Sequence, residues 1–141
     1  MAVRLGKARI AEGEVPFPDG ITLIMRTATS LDVEEAEAEA GELIAGLVAG
    51  QSALSDFGLD GVTNPVGDDM ESALGFSTFL TLALVFERIV SGWDEVLRED
   101  GEPAPLDRLY IGLFLLDTAY RGHFRSKAYA RLYAEVQEGN A

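Results

Sequence analysis

Leu74-Gly75-Phe76-Ser77-Thr78-Phe79-Leu80-Thr81-Leu82-Ala83-Leu84-Val85-Phe86, closed by Glu87-Arg88, is the longest apolar stretch of the chain. It is about 13 residues long, where a membrane-spanning helix needs about 20. Its side chains leave little polar face, and a helix that is apolar all round is buried on all sides, within its own domain or in an assembly. The expectation is a buried helix that opens at Asp68 or Asp69 and runs to about Val90. Asp68, Asp69 and Glu71 then read as N-cap and first-turn acids rather than cation ligands.

Upstream, Gly58, Gly61, Asn64-Pro65 and Gly67 discourage regular structure and predict a mobile loop over 55–67. Before it, Thr29 and Asp32 have the spacing of a capping box, so a helix should begin near Thr29. Asp32, Glu34, Glu35, Glu37, Glu39 and Glu42 crowd that helix, and Leu43, Ile44, Leu47 and Val48 form its apolar face. The start of the chain reads as a β-hairpin. Val3, Leu5 and Ile10 supply one strand and residues 21–26 the other, around the breaker Pro16-Phe17-Pro18-Asp19-Gly20.

Downstream, 93–105 reads as a turn region centred on Asp100-Gly101. A third helix follows with Leu109, Tyr110, Leu113, Phe114, Leu116 and Tyr120 as its buried set, weakened at Gly122. A fourth helical segment carries Phe124, Tyr129, Leu132, Tyr133 and Val136. The predicted fold is mainly α (α+β): an N-terminal β-hairpin region (1–28), then about four helices (29–138) in one compact domain. A chain of 141 residues with 48% hydrophobic content can bury a core without disulfides or a structural metal.

The formal charge of −13 disfavours nucleic acid and anionic membranes as partners and suits solubility or a basic protein surface. There is no cysteine from which to read a redox compartment. Met1–Lys7 carries charges where a signal peptide needs an apolar run, so a cytoplasmic setting is expected. His123 is the only histidine, and one histidine without cysteine assembles neither a nucleophilic triad nor most zinc sites. The acids around Gly101 miss the EF-hand spacing, and no glycine run has the setting of a phosphate or dinucleotide loop. No catalytic residue, metal ligand or cofactor is therefore assigned.

The informative charge feature is an asymmetry. Arg121, Arg125, Lys127 and Arg131 lie in a stretch without acid from Thr118 to Ala134, whereas the acids concentrate on the first helix. Either these two helices pair with each other, or one or both meet a partner. Glu35, Glu39, Arg121, Arg125, Lys127 and Arg131, with the single tryptophan Trp93, are the candidate partner-binding residues.

The run from Gly92-Trp93-Asp94 through Asp100-Gly101-Glu102-Pro103-Ala104-Pro105-Leu106 resembles a segment of the tail assembly chaperones of long-tailed phages and prophages. Gly20 to Thr29, a strand ending in Arg26 ahead of a capped acidic helix, is similar to their opening. The resemblance implies no catalytic residues. It implies binding to the tape-measure protein or another tail protein, often with self-association, in the cytoplasm of a bacterial host. Apolar grooves that cover partner helices and a strongly charged exterior suit such a holdase. The alternatives are a structural virion or adaptor protein of a phage tail, and a small carboxylate-dependent enzyme using Tyr110, Tyr120 or His123. The enzyme would require a deep polar pocket with converging acids.

Overall fold

Residues 11–48, 57 and 70–132 are described by a computed structural model of the chain, with the backbone alone at 46–48 and 70–76. The fold is α+β. Strands β1 (Gly13–Pro16) and β2 (Thr22–Met25) form an antiparallel hairpin, followed by α1 (Ser30–Val48) and α2 (Met70–Ile89). Strand β3 (Val90–Asp94) leaves α2 directly, and α3 (Arg108–Leu116) and α4 (Thr118–Ala128) complete the described elements. Helical backbone resumes at 130–132.

The hairpin lies closer to the breaker cluster than its pattern suggested. Asp19 and Gly20 both hold positive φ, 65° and 76°, as the Asp-Gly pair permits. The predicted strand at Val3, Leu5 and Ile10 lies outside the described residues. Leu23 and Met25 are buried, and Ile24 between them is exposed, the alternation of a sheet with one covered face.

The capping box forms as read. Thr29 Oγ1 accepts from the Asp32 amide at 3.2 Å, and Asp32 Oδ2 accepts from the Thr29 amide at 2.9 Å. Arg26 then clamps Asp32 with two hydrogen bonds, 2.6 and 3.0 Å. This guanidinium, with the Thr29 bonds, holds the Asp32 carboxyl down at about 2 against the desolvation of its site. The face of α1 toward α2 is built on Ala36 and Ala40, both fully buried, flanked by Val33, Leu43 and Ile44. Small side chains let the two helix axes approach closely.

Helix α2 is the buried spine. Leu80 to Phe86 are all buried, and polarity returns at Glu87 and Arg88. Phe86 joins a cluster of rings: Phe124 at 4.6 Å, Phe114 at 5.8 Å and Trp93 at 5.9 Å between centroids. Such tilted or edge-on pairs contribute about 0.5–1.5 kcal/mol each beyond area burial.

Three expectations change. The 90–94 stretch, read as the end of the helix and the start of a turn region, is a third strand. It pairs with β2 through Leu23↔Trp93 and Met25↔Val90, with a bulge between Ile24 and Met25. A five-residue strand whose partner lies nearly seventy residues upstream leaves no local signal. The break expected at Gly122 falls instead at Asp117. Its own φ/ψ of −71°/121° is extended, and its carboxylate caps α4 by accepting from the Ala119 and Tyr120 amides. Tyr120 therefore belongs to α4, and Gly122 sits inside that helix.

The third change concerns which face of α3 is buried. Ile111, Gly112, Phe114 and Leu115 face the core, while Leu109, Leu113 and Leu116 are exposed. Arg108-Leu109-Tyr110-Ile111-Gly112-Leu113-Phe114-Leu115-Leu116 is apolar nearly all round, so its periodicity carries no phase. Gly112 decides it. A Cβ there would collide with the Phe57 backbone carbonyl, so the buried side of α3 is the one on which Phe57 seats. Phe57 is itself fully buried, with the Arg108 guanidinium carbon 5.3 Å from its ring centroid. The rest of the predicted 55–67 loop lies outside the described residues.

Candidate protein-binding groove

Leu113, the middle one of the outward leucines of α3, faces a hairpin-like arm that follows β3. Leu97 and Pro103 pair as an isolated antiparallel bridge. Between them the Asp100-Gly101 turn closes, with Gly101 at φ 83°, the Arg98 amide donating to the Glu102 carbonyl at 2.8 Å and Asp100 Oδ1 accepting from the Glu102 amide at 3.0 Å. Trp93 fastens this arm to the core. Its indole N–H donates to the Ala104 carbonyl at 2.9 Å, and its rings lie against Phe86 and Phe114. Trp93 thus sets the position of this arm from a half-buried place beneath it.

Between arm and helix lies an open groove of about 330 Å³. Ile21, Val96, Leu97, Tyr110, Leu113, Phe114 and Tyr120 line it, with Glu95, Arg98 and Glu99 at its lip. Leu97 is 53% exposed, Leu109 39%, and Leu113 and Leu116 44% each. Leu109, Leu113 and Leu116 stand at i, i+4 and i+7, one stripe along the helix. At the groove's end Tyr120 stacks on Phe114 at 4.8 Å and donates its hydroxyl to Asp19 at 2.5 Å. That hydrogen bond to a carboxylate, with lesser contributions from desolvation and charge, pushes the phenol up to about 12.

The acids and bases singled out by sequence do not assemble into one site. Glu35 accepts from Arg88 at 2.7 Å, and Glu39 lies 3.5 Å from Arg88 and 3.1 Å from Arg108. Arg108 also takes Glu87 in a two-pronged pair at 2.7 and 3.0 Å. These carboxylates raise the Arg108 pKa, the Glu87 hydrogen bond most. Glu35 and Glu39 are thus held inside the molecule's own ion-pair network, by arginines of α2 and α3.

Of the basic stretch, Arg121 donates to the Leu115 carbonyl at 3.2 Å, stitching α4 to the end of α3. Arg125, Lys127 and Arg131 are exposed. Arg125 edges two adjoining clefts, one of about 450 Å³ bounded by α1, α2 and α4 with Glu37 in its wall, and one of about 420 Å³ between α2 and α4 shared with Arg121. His123, expected at a helix end or on the surface, lies inside α4. Its Nε2 is 2.9 Å from the Pro16 carbonyl, and its ring meets Phe17 edge-on at 4.4 Å. It ties β1 to α4.

The groove leucines were legible as apolar and illegible as exposed. The available signal was Gly112, which marks the side of an all-apolar helix where another backbone comes close. Among the described residues, no helix is long and apolar enough to cross a membrane. No protein-family profile, curated protein or solved structure matches the chain.

Proposed function

We propose that this chain is a non-enzymatic protein-binding factor, and specifically a phage or prophage tail assembly chaperone that binds the tape-measure protein. The exposed stripe Leu109, Leu113 and Leu116, whose middle member Leu113 lines an open groove with Leu97, is the observation that carries the protein-binding reading. Burying a leucine fully is worth about 1.5–3 kcal/mol, so covering four half-exposed ones contributes about 3–6 kcal/mol before the cost of association. The tail-chaperone reading rests in addition on the resemblance of 92–106, the segment that forms the groove's arm. On this reading the protein acts in the cytoplasm of a bacterial host.

Co-expression with a tape-measure-like protein tests it. The expected outcome is a soluble complex that survives gel filtration, with the tape-measure protein insoluble when expressed alone. A tape-measure protein that stays insoluble, together with no other tail protein co-purifying, overturns the proposal.

A further inference from the structure

We propose that the α3 groove takes a basic amphipathic helix of its partner, with apolar residues at i, i+3 or i+4 and i+7 flanked by Lys or Arg. This deepens the protein-binding reading above and rests on it. The apolar requirement follows from geometry. Leu113 lines the groove opposite Leu97, and the exposed stripe Leu109 to Leu116 carries the apolar surface beyond it over about 10 Å along α3, two turns, the length over which a helix lays down three anchor residues.

The basic requirement follows from what surrounds the groove. Asp94, Glu95, Glu99, Asp100 and Glu102 cluster on the arm around a single base, Arg98. Arg98 is consumed locally, 3.1 Å from Asp100. Asp94, Glu95, Glu99 and Glu102 have no cationic partner among the described residues. Glu95 and Glu99 reach the groove itself. An apolar floor with an unneutralised anionic lip matches a helix with an apolar face and cationic flanks, and repels an acidic one.

Glu95 adds an independent observation. Its φ is 64°, in the left-handed region that favours glycine. A carboxylate stands at the groove's lip where the backbone would be more relaxed with none, which fits a side chain kept for what it meets.

The test uses the full chain and three synthetic 18-residue helical peptides that share one leucine stripe and lack tryptophan. Their flanks are Lys, Gln or Glu. Trp93, the only tryptophan, reports from beneath the groove, its rings 5.8 Å from Phe114. The Lys peptide should bind saturably, about tenfold tighter than the Gln peptide, with the preference falling in high salt, and the Glu peptide should not bind. Glu95→Gln with Glu99→Gln should shrink the Lys-over-Gln preference to about threefold or less. Leu113→Glu should abolish binding although it makes the protein more acidic, which separates groove binding from general attraction to a polyanion. Leu31→Glu, at an exposed leucine of α1, should change nothing; circular dichroism and melting of each variant check the fold.

Equal binding of the Lys and Gln peptides overturns this inference while leaving the protein-binding reading intact. Lys-peptide binding that survives Leu113→Glu, absence of peptide binding, or self-association through the groove that excludes the peptide also overturns it. Failure of the tape-measure co-expression alongside Leu113-dependent Lys-peptide binding instead removes the tail-chaperone identity and keeps the groove.

Discussion

The acids of α1 and the acids of the 94–102 arm are similar in number and differ in company. On α1, Asp32 is clamped by Arg26, and Glu35 and Glu39 are met by Arg88 and Arg108 from the next two described helices. On the arm, only Asp100 has a cation, and that cation is two residues away. These three acids help hold elements together, while Glu34, Glu37 and Glu42 of the same helix have no ion pair among the described residues and no exposed leucine groove beside them. The arm's acids leave negative charge standing beside exposed leucines. Acidity alone does not distinguish an internal strut from an interface. What distinguishes them is whether the fold brings an arginine to the acid.

Arg108 ties α3 to Glu39 of α1, and its guanidinium lies over the Phe57 ring. The largest effect should come from Phe57→Ala, which empties a fully buried site and removes the ring beneath the guanidinium. A loss of about 3–5 kcal/mol is expected in urea denaturation. Gly112→Ala attacks the same contact from the α3 side and should cost about 2–3 kcal/mol by forcing Phe57 away. Near-native stability for both would mean that Phe57 does not choose the buried face of α3.

Next comes the contrast between the two arginines. Arg108→Ala should cost about 1–2 kcal/mol, a value already reduced because its carboxylate partners are a third or more exposed. Arg98→Ala should cost less than about 0.5 kcal/mol, since its pair with Asp100 is local and exposed. Equal costs would erase the distinction between the two acidic regions.

The capping box carries a pH signature. Asp32 is held at about 2 in the folded chain, below its ordinary 3.8. Its contribution is therefore complete above about pH 4 and is lost as the pH falls toward 2. Asp32→Ala should cost about 1–2 kcal/mol at pH 7 and flatten the acid limb of the stability profile. An unchanged slope between pH 4 and 2 would show that the Arg26 clamp contributes nothing.

The smallest effect has the opposite sign. Glu95→Gly should leave stability unchanged or raise it by up to about 1 kcal/mol, because glycine accepts the positive φ there. The same substitution should weaken binding of the Lys-flanked peptide. A stabilised, binding-impaired variant would sharpen the view of the arm as a surface kept for a partner.

The central helix, the Thr29–Asp32 capping box and the Asp100-Gly101 turn were all readable in advance. Each depends on residues within a few positions of one another, where spacing and side-chain chemistry decide the outcome. Trp93, singled out as a partner-binding candidate, lies half-buried under the groove rather than on it. The groove was not readable. Its floor joins Ile21, Leu97 and Leu113, which are far apart in the chain, and its leucines look like core by composition. Arg88 and Arg108 were likewise unmarked as partners of α1, because nothing near them in sequence points to Glu35 or Glu39.

An apolar spine, its acidic helical neighbour, the caps and turns that end these elements, and a charge unsuited to polyanions follow from the order of residues alone, because local propensity and composition act over one or two turns. Tertiary structure decided which side of α3 is buried, that 90–94 is a strand and which acids find arginines. Each of those is a choice among faces or partners that are locally equivalent. Packing breaks the tie: the Phe57 backbone against Gly112, and the open edge of β2 beside Val90 to Asp94.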